Sequence, residues 1–468
     1  MEADAELAEA VKAAKKDRNR KRSTKKKGKY SFDDYSDSPT NFIPVGNGMK
    51  TGCSCPECGM GKLYISDPRR LLSFSGNAPL TAERHIKEVL RCNACQKEFT
   101  NSQKIDKWTN SANSTFALCK IMGMPFNRLF DLQMLYNIPV SEGTMWGQIE
   151  LLWRDCCESV YQELYRLASN CSEYFVDDTG VQILEVTENN KNLPKSDRRK
   201  CNTSIICTKT EEEKNIALYI SDNKHCGENF ANLLDIRTND NGKISLMGDG
   251  SSNNLSKLPS EKISKMNIFK CLAHGRRKFY ELLEFEPFYC MWFLKEIGQI
   301  YKNDEHCKIH NYDKNLRLRY HQDHSYVHIE NIYRKIDELF TEKLVEPNSA
   351  LGKAMKYWQR HKDGLTKFLS VGGMLLDNSP AEQGFKKIIL QRKNSYFFKT
   401  KKSAAILSGL TSIIVTCQQN NINAYGYLNW LQEHWLHALK NPSNYLPWKY
   451  AEKIKESSGD PPALGVVA

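Results

Sequence analysis

The sequence predicts an α/β protein of several parts: a small zinc-binding module, a helical segment, a core of mixed strands and helices, and further long helical stretches. Three observations carry that expectation. Two CxxC pairs, Cys55/Cys58 and Cys92/Cys95, stand in one region. Between Tyr174 and Met247, short apolar runs bounded by turn residues read as strands around one helical stretch. From Cys271 to about Leu369 the apolar spacing is almost wholly helical. The 468 residues make room for about three domains at roughly 150 residues each. With 40% hydrophobic and 26% charged residues, the chain can build a core, which excludes global disorder. The longest apolar run, Phe288 to Leu294, is far shorter than the roughly eighteen residues a bilayer span needs.

Taken in order, the first segment is basic. Residues 1–16 are Ala-rich, with Leu7, Val11 and Ala14 at helical spacing. The start lacks a continuous apolar stretch behind a basic one and does not read as a secretory signal. The expected location is therefore a reducing compartment, where the 16 cysteines serve as thiols or metal ligands rather than disulfides. Residues 11–29 carry eleven Lys or Arg against one acid, most of the net charge of +12. Such a block repels itself and cannot pack into a core, but it neutralises phosphates and releases their counterions. Nucleic acid is one reading and a solubilising tail the other. Residues 31–50 mix Asp, Ser, Pro, Asn and Gly without period and read as a linker.

The cysteine cluster follows. Two CxxC turns present four thiolates, a set that suits tetrahedral zinc and leaves no open coordination position, so the expected role is structural. The zinc ligands are taken as Cys55, Cys58, Cys92 and Cys95, and Cys53 is either a substitute for Cys55 or a buried thiol. From Ser111 to Cys171 the pattern turns helical, broken at Gly123–Phe126 and Asn137–Thr144. The helices expected are Phe116–Met122, Arg128–Tyr136 and Thr144–Ala168, either a helix-turn-helix followed by a long helix or a plain helical connector.

Next, Tyr174–Asp177 and Val181–Val186 read as strands, followed by a polar loop and strands at Thr203–Lys209 and Asn215–Ser221. A helix over Glu228–Ile236 and a strand over Lys243–Met247 complete a β-β-β-α-β order. If the first strands form an antiparallel meander and the helix crosses over, the last strand lies beside and parallel to the first. Asp177 and Asp249 each follow an apolar strand segment and then meet at one edge of the sheet, where ligands of open α/β sheets gather.

Glu382, in DNSPAEQGF, is the third carboxylate of interest. Ser379 and Glu382 make an S-x-x-E capping box with Pro380 at the first helical position, so capping alone explains this glutamate. The other reading sets it beside the two aspartates, where three carboxylates repel unless cations bind, and hard oxygen ligands select Mg²⁺ or Mn²⁺. Asp178 competes with Asp177, but adjacent strand residues face opposite ways and only one can aim at the site. Asp377 competes with Glu382 unless it belongs to the turn. Arg276, Arg277 and Lys278 on an expected helix, and Arg392 and Lys393 beside Tyr396, Phe397 and Phe398, are candidates for holding DNA backbone. A solvated face over core aromatics is the alternative. His274 reads as a buried, hydrogen-bonded histidine without a catalytic role.

The strings VDDTGVQIL, MGDG, CLAHGRRKFYE, DNSPAEQGFKKIILQRKNSYFF and NNINAYGYLNWL with LPWKY, together with the CPECG and CNAC pair, resemble the blocks of the bacterial insertion-sequence 66 transposases, in that family's order from about Cys53 to Tyr450. The resemblance implies an RNase H-like catalytic core with an Asp, Asp, Glu triad at Asp177, Asp249 and Glu382. It implies Mg²⁺ or Mn²⁺ at those carboxylates, structural Zn²⁺ in the module, and strand cleavage and transfer at the ends of the element itself. The partners implied are DNA, as terminal repeats and target, a homo-oligomer on DNA and companion element-encoded proteins. The place implied is the bacterial cytoplasm, at the nucleoid. The domains expected are 1–50 tail and linker, 51–105 zinc-binding module, 111–171 helical segment, 172–420 catalytic core with a helical insertion at about 275–371, and 421–468 a C-terminal family-like segment. The chain departs from the family at Ser251 and Ser252, where an aromatic usually follows the second Asp-Gly, and at Gln383, where an Arg usually follows the Glu. A catalytically inactive DNA-binding regulator and a structure-specific nuclease are the rival readings.

Overall fold

A computed structural model describes residues 52–54, 61–63, 79–83, 85, 89–91, 98–100, 106–239, 243–249 and 260–458. The basic block, the linker, Ser251, Ser252 and the four CxxC cysteines lie outside the described residues. The chain divides into two compact units, Met1–Asn77 and Ala78–Ala468. In the first, Ser54 bridges antiparallel to Lys62, flanked by hydrogen bonds from Gly52 N–H to the Leu63 carbonyl and from Leu63 N–H to the Cys53 carbonyl, both 2.8 Å. Gly52 sits at φ +92°, where a residue without Cβ meets no steric penalty. Cys53 is exposed, which removes the buried-thiol alternative.

The second unit opens with a two-stranded antiparallel pair, β1 (Val89–Arg91) and β2 (Glu98–Thr100). Helices α1 (Asn110–Ile121), α2 (Phe126–Leu135) and α3 (Glu142–Leu152) follow, joined by short turns. Thr109 Oγ1 accepts from Ala112 N–H at 3.3 Å and Ser141 Oγ from Thr144 N–H at 3.2 Å, so hydroxyls satisfy free amides at two of the three helix starts. A π-helical turn at Trp153–Cys157 links α3 to α4 (Glu158–Ser169), so the long helix expected from Thr144 runs on through a bulge.

A five-stranded mixed sheet forms the centre, built from β3 (Glu173–Val181), β4 (Cys201–Lys209), β5 (Asn215–Asp222), β6 (Ile244–Gly248) and β7 (Met266–Lys270), in the order β5-β4-β3-β6-β7. β3, β4 and β5 form the antiparallel meander expected, and β6 lies parallel to β3 after the crossover helix α6 (Cys226–Asp235). β7 adds a further parallel strand. Its five residues offer too little periodicity to separate strand from helix.

One expected strand is wrong. Val181 ends β3, and Leu184–Lys191 forms helix α5. β3 keeps its antiparallel pairing as far as Val181↔Cys201. Beyond it, Ile183 is still extended and bridges parallel to Phe398, whereas Val186 is carried on α5; both pack with Cys201 and Ala404.

The short helix α7 (Ser260–Ser264) precedes β7, and the helical stretch expected follows it: α8 (Leu272–Tyr280), α9 (Pro287–Ile309), α10 (Lys314–His324), α11 (Tyr326–Thr341), α12 (Ala350–Arg360) and α13 (Lys362–Leu365). These have an apolar core of their own, around Phe279, Phe293, Ile332, Ile336 and Trp358, joined by Met247 and Phe269 from the sheet. α14 (Ser379–Ser395) and α15 (Lys401–Gln419) return to the sheet. There Ala381, Ile388 and Val415 pack against Ile205 and Tyr219. α15 covers the β5 edge: Ser412 Oγ accepts from Tyr219 N–H at 2.8 Å and Thr416 Oγ1 from Ala217 N–H at 3.2 Å, so side chains replace a missing neighbour strand. α16 (Ala424–Glu433), α17 (Trp435–Lys440) and α18 (Pro447–Ser458) close the chain. Among the described residues no helix is long and apolar enough to cross a membrane.

Candidate active site

Strand alternation decides which acids can meet. On β3, Tyr174 and Val176 face the core shared with α6, whereas Phe175 faces the cores of the helical stretch and α14. Asp177 shares the Phe175 face. The last parallel pair of β3 with β6 is Phe175↔Met247, so two residues on along each strand bring Asp177 level with Asp249. Asp178 points to the other face, where its Oδ2 accepts from Cys226 N–H at 3.4 Å at the start of α6 and lies 3.2 Å from His225 Nδ1. Asp178 thus serves the start of α6.

Asp177 is half-buried, and burial pushes its carboxyl up to about 7; the charge of Asp249, and behind it those of Asp178 and Glu382, add to the rise. A hydrogen bond from Asp178 N–H to Asp177 Oδ1, 2.9 Å, works the other way. The charges of Asp249 and Glu382, carried by separate elements, thus both act on Asp177.

Glu382 reaches this point through Asn378, which is fully buried. Asn378 Nδ2 donates to the Val176 carbonyl at 3.1 Å, one residue before Asp177, and Asn378 N–H donates to Cys271 Sγ at 3.3 Å. Together the two bonds pin the start of α14 to β3 and to the start of α8. The expected capping box is not formed. Ser379 lies inside the helix, Asn378 occupies the cap position, and the Asn378 side chain caps none of the amides. The Asn378 amide is oriented by its Nδ2 bond to β3, and its Oδ1, the atom that would cap, is buried without a hydrogen-bond partner. Asp377 belongs to the turn, its Oδ1 accepting from Ser379 N–H at 3.1 Å. Glu382 Oε1 is buried and has no hydrogen-bond partner. The close approach of α14 to the sheet also requires Gly384, where a Cβ would stand 2.7 Å from Tyr219 Oη.

Of three neighbours, Lys270 and Cys271 were not singled out by sequence reasoning, and His274 was given no role at the site. Lys270, at the end of β7, donates from Nζ to the Asp249 carbonyl at 2.9 Å; burial lowers its pKa, and the Asp249 charge opposes that shift. Gly364 leaves room for it, since a Cβ there would lie 2.5 Å from Lys270 Cγ. Cys271 is fully buried, and burial raises its thiol to about 11. His274 Nδ1 lies 3.6 Å from Glu382 Oε1 and, contrary to expectation, is buried without a hydrogen-bond partner. The signal available in the sequence was the C-x-x-H of CLAH, which places Cys and His on one helical face three residues apart.

The basic candidates divide. Arg276, Arg277 and Lys278 are exposed on α8. Arg276 stacks over the Tyr280 ring at 5.6 Å and Lys278 over Tyr357 at 5.5 Å, while Leu272 and Phe279 of the same helix are buried. Arg392 has structural work: its Nη1 donates to Thr179 Oγ1 at 3.0 Å and to the Gly180 carbonyl at 2.6 Å, tying α14 to β3. Lys393 is exposed beside exposed Tyr396 and Phe397, so those two aromatics are not core residues; Phe398 is half-buried.

Residues 109–406 match the transposase IS66 family. Among curated proteins, the chain is 21% identical over 409 residues to the uncharacterized protein y4jD of Sinorhizobium fredii, covering 81% of this chain and 75% of that protein. It is 22% identical over 197 residues to the uncharacterized proteins y4hP and y4qI of the same organism, matching 38% and 41% of this chain and only 34% and 35% of theirs.

Proposed function

The chain belongs to the IS66 transposase family, and on that premise we propose that it is a DNA transposase whose catalytic carboxylates are Asp177, Asp249 and Glu382, acting with Mg²⁺ or Mn²⁺ on the ends of its own element and on target DNA. The observation that carries this reading is the β3–β6 register, which sets Asp177 level with Asp249, with the charges of Asp249 and Glu382 both acting to raise the Asp177 carboxyl. Like charges so placed are costly unless a cation joins them, and the unpartnered Glu382 oxygen fits an oxygen-ligated cation. A sheet with one antiparallel meander flanked by two parallel strands also supports the RNase H-like core that the family implies.

Bound there, the divalent cation supplies the Lewis acidity that phosphodiester displacement needs. The protein groups do the rest. Asp177, Asp249 and Glu382 would hold the ion, Lys270 holds the Asp249 backbone, and Asn378 aims the helix that carries Glu382. Exposed Arg276, Arg277, Lys278 and Lys393 are the DNA backbone contacts we propose, with Arg392 bracing the helix behind them. Four thiolates from Cys55, Cys58, Cys92 and Cys95 are a donor set for structural zinc, and the module they build, the 111–171 helices as a DNA-binding segment and oligomerisation on DNA belong to the same proposal.

The test is strand cleavage and transfer by the full chain on DNA carrying the terminal repeats that flank its gene, with Mg²⁺ or Mn²⁺. Activity is expected in the wild type and only background in Asp249→Asn. Undiminished strand transfer by Asp249→Asn refutes the assigned role. Binding of the ends without cleavage by the wild type points to a regulator, and cleavage of branched DNA without joining to a nuclease.

A further inference from the structure

We propose that Cys271, His274 and Glu382 form a binding site for a borderline transition-metal ion, zinc foremost, beside the three-carboxylate cluster and sharing Glu382 with it. One ligand atom from each of the three residues lies within 4.8 Å of the other two. Tetrahedral zinc with bonds of roughly 2.0–2.3 Å sets its ligands about 3.5 Å apart, so a closure of about 1 Å across the cluster seats the ion.

Three features distinguish this cluster from ordinary packing. The Nδ1 atom of His274 and the Oε1 atom of Glu382 are both buried without a hydrogen-bond partner, 3.6 Å apart. A buried polar atom left unpaired costs about 1–3 kcal/mol, and a cation between the two satisfies both. The buried Cys271 sulfur accepts the Asn378 amide at 3.3 Å, the kind of outer bond that steadies a metal thiolate. Finally, the donor set is mixed. Thiolate and imidazole favour zinc or cobalt and disfavour Mg²⁺, whereas the neighbouring all-carboxylate set does the reverse. Three protein ligands leave a fourth position open to water or a phosphate oxygen.

Sharing Glu382 gives the site a consequence that rests on the proposed function: an ion held by Cys271 and His274 draws Glu382 from the carboxylate cluster, so zinc opposes the Mg²⁺-supported reaction. The experiment measures binding first. Full-length protein, reduced and freed of metal, is titrated with Zn²⁺, separated from unbound ion, and its zinc content measured by mass spectrometry. Wild type is expected to hold one zinc more than His274→Ala, with the content restored in His274→Cys, because the CxxC module is common to all three. His274 is only partly buried, so its replacement does not hollow the core. Cobalt substitution is expected to show a thiolate charge-transfer band that Cys271→Ser diminishes. Equal zinc in wild type and His274→Ala overturns the site, whatever the catalytic results. Absence of cleavage under any divalent ion, with the extra zinc still counted, sinks the transposase reading and leaves the site standing.

Discussion

Replacing Asp177 by Asn should make the metal-free protein more stable, although it removes a residue of the candidate site. The carboxyl ionises near 3.8 in an unfolded chain and at about 7 in the folded one. Between those values the folded state holds a proton that the unfolded state has lost, so stability falls as pH rises through the window. Below it the penalty is absent, and above it the penalty is complete. A rise of that size corresponds to roughly 4 kcal/mol, which solvent screening of a half-buried group reduces to about 2 kcal/mol. Asn keeps the shape and can still accept the Asp178 amide, while the repulsion from Asp249 and Glu382 disappears. For a unit the size of Ala78–Ala468, about 2 kcal/mol raises the midpoint by roughly 2 °C. Thermal melts in chelator at about pH 8 should show that gain for Asp177→Asn, and melts at about pH 4 should show little of it. Adding Mg²⁺ should stabilise the wild type more than the variant, because cations relieve the same repulsion. A gain that does not depend on pH, or none at all, refutes the argument that Asp177 is held by burial among like charges.

Two further outcomes follow from other buried polar groups. Burial alone would raise the Asp304 carboxyl, but a hydrogen bond from His321 and the charges of Arg317 and Lys308 hold it well below the usual range. Asp304→Asn should therefore cost about 3–5 kcal/mol in urea unfolding near neutral pH, because it strands those cations. Since the folded value is depressed, the wild-type advantage is present above 3.8 and is lost as pH falls below it; a difference that persists unchanged in strong acid counts against the pairing. Asn378→Ala should cost about 1–3 kcal/mol by leaving the Val176 carbonyl unpaired, and should abolish the Mg²⁺-dependent rise in melting temperature by freeing the start of α14. Unchanged stability and cation response in that variant would show that Asn378 does not position Glu382.

What the sequence determined was local. Apolar runs at strand length marked β4, β5 and β6, the helical period marked the stretch after Cys271, and turn residues separated them, because these patterns record burial on one face over a few residues. The parallel meeting of the first and last expected strands was also legible, since a helix between them leaves few ways to connect. Tertiary structure decided the rest. Val186 carries the same apolar signal in a strand or a helix, and it lies on a helix that packs it with Ile183, Cys201 and Ala404. The S-x-x-E string predicts a capping box from neighbours alone, but Asn378 holds the cap position with its Nδ2 turned to a strand 202 residues earlier in the chain, and that box does not form. Cys271, His274 and Glu382 form a cluster only because two helix starts are pinned together; a hydrogen bond between segments distant in sequence leaves no periodic trace within either.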